Sequence, residues 1–156
     1  MPNENRILAS VEREEVRDVI AAYCMALDEG DMDSVADCFA LDALADYGPG
    51  RGGAQKGSRA IVERIAQGQA VFRRTHHQLG QIHVSLLGDE AQVLSYVTAW
   101  HERYTGEREI ACLRYIDRLR QVDSRWMIHS RRVEAAYVDG FPGTQWDWVK
   151  RKRDGT

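Results

Sequence analysis

The chain has 156 residues, 44% of them hydrophobic and 29% charged, which is enough for one domain with a real core and too few for two. Its 24 acidic and 21 basic side chains leave a formal net charge of −3, so no positive excess exists to hold a phosphate backbone, and neither nucleic acid nor a membrane is an expected partner. Three cysteines, Cys24, Cys38 and Cys112, form no close pair, which argues against a disulfide framework or a structural zinc site and for a cytoplasmic protein, with no export signal or membrane span expected.

Between Ile7 and Leu27 the apolar residues Val16, Val19, Ile20, Tyr23, Cys24 and Leu27 recur at three- and four-residue steps, the pattern of an amphipathic helix, and Gly30 ends it. Asp31 is placed to cap a second, shorter helix carrying Met32, Val35, Cys38 and Phe39. The Gly- and Pro-rich stretch from Tyr47 to Gly53 reads as loop, and a third helix runs from Ser58 as N-cap to about residue 67. After residue 75 the periodicity changes to two. Gln81 to Leu87 and Ala91 to Tyr104 read as a hairpin turning at Gly88-Asp89, and Arg108 to Leu119 and Arg125 to Tyr137 as two more strands joined at Asp123-Ser124. The expected architecture is α+β over residues 1–156: three N-terminal helices packed on a curved antiparallel sheet, a cone-shaped α+β barrel with a cavity between the first helix and the concave face.

Polar residues aimed into that cavity are the candidates for chemistry. Asp28 stands in the last turn of the first helix, where the helix dipole disfavours an exposed negative charge by roughly 0.3–1 kcal/mol. It is either part of a solvated acidic cluster with Glu29, Asp31 and Asp33 or a carboxylate held at the cavity mouth by a partner, most naturally an imidazole. His76 and His77 supply that imidazole, and since neighbouring strand residues face opposite ways, only one of them enters the cavity. His83 would share the face of His77 but lie about 20 Å along an unbroken strand, so no compact metal site is expected. Val93, Ser95, Val97, Ala99 and His101 form one strand face that reads as a cavity wall, with His101 as a candidate or as a satisfied core residue. On the next strand either Asp117 or the row Arg114, Arg118 faces inward. The outward placement of Asp117, as a cross-strand ion-pair partner, is favoured; inward, it is a candidate acid. No nucleophile elbow or phosphate-binding glycine loop is present, which leaves acid/base chemistry by Asp, His and Tyr.

The run Tyr23-Cys-Met-Ala-Leu-Asp28-Glu-Gly-Asp31-Met-Asp33, followed by Phe39-Ala-Leu-Asp42-Ala, Gly57-Ser-Arg-Ala-Ile and a closing Trp126-Met-Ile before paired arginines, resembles the SnoaL-like branch of the nuclear-transport-factor-2-like superfamily. The resemblance spans nearly the whole chain and is nearest to the scytalone dehydratase and hexachlorocyclohexane dehydrochlorinase families, both cofactor-free lyases. It places their Asp-His dyad on Asp28 and His77, the dehydratase tyrosine on Tyr47 and its second histidine on His101, and the dehydrochlorinase arginine on Arg131. Leu27, Leu113 and Tyr115 depart from the dehydratase pattern. A ketosteroid-isomerase comparison puts an oxyanion tyrosine on Tyr23 and an acid on Asp117, but its base falls on Tyr47, which removes the base.

The resemblance therefore implies a lyase, a dehydratase or related elimination enzyme, acting without cofactor or metal on a small, activated and cyclic substrate. Asp28, His77, Tyr47 and His101 are its catalytic candidates, and Tyr23, Val97, Asp117 and Arg131 its substrate-binding candidates. The alternatives are a non-catalytic module of the same fold that binds a small molecule or dimerises through its open sheet face, and an isomerase. A homo-oligomer, dimer or trimer, is the expected assembly.

Overall fold

The structure, a computed structural model, describes residues 2–152. Arg153, the last of the basic run that starts at Lys150, lies outside them, as do Met1 and the final residues of the expected domain. In chain order the elements are α1 (Pro2–Glu29), α2 (Met32–Asp37), β1 (Phe39–Asp46), β2 (Ala54–Lys56), α3 (Ser58–Gln69), β3 (Phe72–Leu87), β4 (Glu90–Arg103), β5 (Arg108–Val122) and β6 (Arg125–Asp139). A short 3-10 turn, Pro49–Arg51, sits in the glycine-rich loop.

Helix α1 buries Val16, Ile20, Tyr23, Cys24 and Leu27, one stripe of the helical period. It stops where Gly30 turns left-handed at φ +69°, its amide donating to the Leu27 carbonyl and that of Asp31 to the Ala26 carbonyl, a paired closure that satisfies the last carbonyls. Asp31 then caps α2 by accepting the Ser34 amide hydrogen at 3.0 Å, as the sequence predicts. Two expectations for the helices change. Phe39 does not continue α2 but opens β1, and α3 is capped by Gly57 with no side-chain hydrogen bond, Ser58 being its first residue.

The six strands form one sheet in the order β2-β1-β6-β5-β4-β3. Strands β3 to β6 are the expected antiparallel meander, turning at Gly88-Asp89 and at Asp123-Ser124, the latter pair both at positive φ. Strands β1 and β2 were not expected. β1 runs parallel to β6, a pairing across nearly ninety residues of chain that no local pattern announces. Register shifts between Leu79 and Ile82 on β3, and at Cys112/Leu113 and Arg118/Leu119 on β5, bend and twist the sheet so that it curls around the helices without closing.

The bulge between Leu79 and Ile82 also decides a side-chain question. Three residues of β3 there oppose two of β4, so the inward face passes from His77 and Leu79 to Ile82 and Val84. His83 is thereby on the outer face, exposed, and not on the face of His77 as an unbroken strand requires. On β4 the predicted inner row Val93, Ser95, Val97, Ala99 and His101 is buried throughout. On β5 the expectation reverses: Asp117 faces inward at 2% exposure, and Arg114 and Arg118 lie on the other face.

The three cysteines are free. Burial pushes the Cys24 and Cys38 thiols up to about 11, so both are inert residues of the core around α1 and α2. Among the described residues no helix is long and apolar enough to cross a membrane.

Candidate active site

Between α1, α3 and the concave sheet lies an open-mouthed cavity of about 80 Å³. Leu27, Ile65, Ala99, Leu113 and Val133 give it apolar walls, and His77, His101, Tyr23, Tyr47 and Arg51 bring polar atoms to it.

Asp28 does not itself line the cavity but stands behind His77, which does, because α1 ends against the start of β3. Its carboxylate accepts three hydrogen bonds: from Thr75 Oγ1 at 2.8 Å, from the His77 amide at 2.8 Å and from His77 Nδ1 at 2.7 Å. Burial alone would raise its pKa, but these bonds outweigh burial and hold it below the ordinary carboxylate range. They also answer the unfavourable helix dipole at this position. An ionised carboxylate can only accept, so the His77 ring carries its proton on Nδ1. Nε2 has no protein partner among the described residues, and the ring lines the cavity. His76, the neighbour, is exposed on the opposite face.

Across the cavity the Tyr23 and Tyr47 hydroxyls are 2.7 Å apart. Burial raises both pKa values, that of Tyr23 well above 10, so both remain protonated donors. Two hydroxyl hydrogens serve one mutual hydrogen bond, which leaves one hydrogen for a third partner.

Beneath these tyrosines, Arg131 and Asp117 form a two-bond pair, Nε to Oδ1 and Nη2 to Oδ2, each at 2.8 Å, with both side chains wholly buried. The guanidinium sits in the corner made by the rings of Tyr23 and Tyr115, which stand at 81° to each other, 4.2 and 4.1 Å from their centroids. Burial works to lower the Arg131 pKa, but the Asp117 charge prevails and holds it well above the ordinary guanidinium value. Of the four residues assigned to substrate binding, Tyr23 lines the cavity, whereas Val97, Asp117 and Arg131 lie behind its wall. Leu119, on the same inner face, is likewise core.

His101 lies beside His77, ring centroids 5.3 Å apart, and is stacked on Phe72. Its Nδ1 faces Glu109 Oε1 at 3.3 Å, while its buried Nε2 has no hydrogen-bond partner. The Asp28 charge favours a charged ring, but burial, joined by His77, Arg51 and Arg103, prevails and lowers the His101 pKa to about 3. At neutral pH the ring is uncharged, and with Nδ1 donating to Glu109 it offers a lone pair at Nε2.

Several lining residues escape a reading of the sequence. Arg51, Arg64, Gly68 and Phe141 come from the glycine-rich loop, α3 and the C-terminal segment, none of which carries a catalytic pattern. Of the two tail tryptophans, Trp146 lines the cavity, packed edge-on against Phe141, and Trp148 is exposed. The tail is fixed there by backbone bonds: Ala135 donates to Asp147 and accepts from Val149, and Gly50 donates to Gln145. A Cβ at Gly50 would stand 2.5 Å from the Gln145 carbonyl, so only glycine permits this approach.

The comparisons agree with this fold. Residues 9–132 match the model of the SnoaL-like domain. The chain belongs to the SnoaL-like domain family. Among solved structures, a scytalone-dehydratase-like protein from Novosphingobium aromaticivorans is 25% identical with a TM-score of 0.84, covering 97% of this chain and 99% of its own. An aromatic-ring-hydroxylase-like protein of the same organism is 26% identical with a TM-score of 0.76, over 82% and 92% of the two chains. A type 2 hexachlorocyclohexane dehydrochlorinase, LinA, shares the fold at 13% identity and a TM-score of 0.77, over 92% and 97%. No curated protein matches.

Proposed function

We propose that this SnoaL-like protein is a lyase that eliminates water, or a comparable leaving group, from a small cyclic substrate activated by an electron-withdrawing group. The observation that carries the reading is the 2.7 Å contact of Asp28 with His77 Nδ1, which fixes the tautomer whose Nε2 is a base on the cavity side. His77 Nε2 takes the proton from carbon next to a carbonyl, and the C–H electron pair moves toward the carbonyl oxygen to form an enolate. Asp28 holds the ring and stabilises the imidazolium. The spare hydroxyl hydrogen of the Tyr23–Tyr47 pair donates to the enolate oxygen. As the enolate collapses to the unsaturated ketone, the β-hydroxyl leaves, takes the proton back from His77 and departs as water. His101, neutral and with its lone pair at Nε2, suits the leaving hydroxyl, whose hydrogen it can accept, better than the enolate oxygen, which needs a donor.

General acid/base catalysis contributes typically about 10²–10⁴-fold, and each oxyanion donor roughly 10²–10³-fold, which suffices for elimination from an activated carbon. The test is a panel of hydroxylated cyclic ketones followed for water loss by ultraviolet absorbance and for solvent deuterium entering the carbon acid. On a substrate that the wild type turns over, His77→Ala and Asp28→Asn are expected to lose about 10²–10⁴-fold in kcat while remaining folded. A His77→Ala protein with full turnover overturns the mechanism, and deuterium entry without water loss points to isomerisation.

A further inference from the structure

Arg51 and Arg64 are an unusual pair to find together at the edge of an apolar cavity. They line it side by side, and the Arg64 Nε donates to the Arg51 carbonyl at 2.7 Å, tying the glycine-rich loop to α3. Their guanidinium ends converge on Gly68, where a Cβ would lie 3.7 Å from the Nη1 atoms of both. Among the described residues neither terminal group donates a hydrogen bond to a carboxylate. The nearby Glu109 is engaged by His101 and by Arg103 Nη2. What faces Arg51 instead is aromatic: its guanidinium carbon lies 5.3 Å from the Phe141 ring centroid and 5.6 Å from that of Trp146. Burial, joined by the positive charges of Arg64 and Arg103 and opposed by Glu109, lowers the Arg51 pKa.

Two like charges brought together, with no carboxylate among the described residues hydrogen-bonded to either and only Glu109, already engaged by Arg103, acting on Arg51 from nearby, cost free energy that an arriving anion recovers. The planar fork of each guanidinium matches carboxylate and phosphate oxygens and is the side chain suited to binding them in a partly apolar setting. Space for such a group exists on the far side of the pair as well. A second recess, lined by Arg51, Arg64, Arg103 and Thr144, shares Arg51, Arg64, Gly68 and Phe141 with the main cavity.

We propose that the Arg51–Arg64 pair is the recognition site for an oxyanion substituent, so that the substrate is an anionic molecule whose charged end lies at this rim and whose apolar ring fills the cavity. The assignment of that molecule as the substrate rests on the elimination reading; the anion site itself does not. It gives the cavity a polarity, with the oxyanion at the Arg51 end and the reacting carbon at His77.

The test is isothermal titration of the intact protein with benzoate, phenyl phosphate and neutral benzamide. At least one anion is expected to bind about tenfold or more tighter than benzamide, and the better of the two tells carboxylate from phosphate. In Arg51→Gln and in Arg64→Gln that ratio is expected to fall toward one, with the folded state checked by circular dichroism, and in the wild type to shrink as salt rises. The ratio is expected to persist in His77→Ala. Benzamide binding the wild type as tightly as both anions, or a ratio unchanged in both folded arginine variants, overturns the proposal. Full turnover by His77→Ala, with the ratio intact, would overturn the elimination chemistry and leave the anion site standing.

Discussion

Two carboxylates on the inner side of this fold meet nitrogen partners at nearly the same distance, and they do opposite things. Asp28 meets His77 at 2.7 Å on the wall of the cavity, and Asp117 meets Arg131 at 2.8 Å beneath its floor. Arg131 cannot lose its proton, has a wholly buried side chain and is held in the corner of two tyrosine rings, so that pair can only position what lies above it. His77 has a second nitrogen turned to the cavity and can take and return a proton. The chemistry of the partner and its access to the cavity separate a site from a strut.

The comparison breaks first on stability. Asp117→Asn leaves the Arg131 charge buried without compensation, at a cost of about 3–5 kcal/mol, whereas Asp28→Asn removes hydrogen bonds to a half-exposed carboxylate and costs about 1.5–3 kcal/mol. Urea denaturation of the two variants measures the difference, and equal losses would erase the distinction. Next in size is the strut's effect on what it supports. Tyr47→Phe removes one of the two hydroxyls above Arg131, and kcat on an identified substrate is expected to fall by about 10²–10³-fold with the denaturation midpoint nearly unchanged.

A third effect is on acid stability. In the unfolded chain a histidine takes up its proton below about pH 6.5, but in the folded protein His101 does so only near 3. As pH falls between those values the unfolded state binds a proton that the native state does not, so stability is lost. Asp28, whose folded pKa is depressed, contributes stability above the ordinary carboxylate range and loses it at still lower pH. Glu109, which burial holds above the ordinary carboxylate range, works against the His101 loss in part of the same window. Denaturation midpoints of wild type and His101→Gln from pH 7 to 3 are expected to diverge below about 6.5, the wild type falling more steeply. Parallel curves would mean that His101 titrates alike in both states.

Much of this was readable along the chain. The stripe from Val16 to Leu27, the cap at Asp31, the turns at Gly88 and Asp123 and the alternation on β4 are local signals, and the resemblance named Asp28 and His77 before any coordinates. Three features were not readable. β1 presents short alternation among small residues and pairs with β6 far along the chain, so its partner exists only in the fold. The outward turn of His83 depends on a bulge that no residue type in Leu79-Gly-Gln-Ile82 compels. Asp117 alternates with arginines, and which row turns inward is decided by Arg131, fourteen residues on.

The sequence by itself determined the α+β order, the end of the first helix and the cap of the second, because hydrophobic period, capping and turn chemistry act over a few neighbouring residues, and the resemblance put Asp28 and His77 forward as candidates. Only the tertiary structure decided which carboxylate holds a ring that lines the cavity and which is sealed under it, and that two arginines from a loop and a helix meet at its rim. Burial and charge pairing are properties of the assembled molecule, and a side chain acquires them only from what the rest of the chain packs around it.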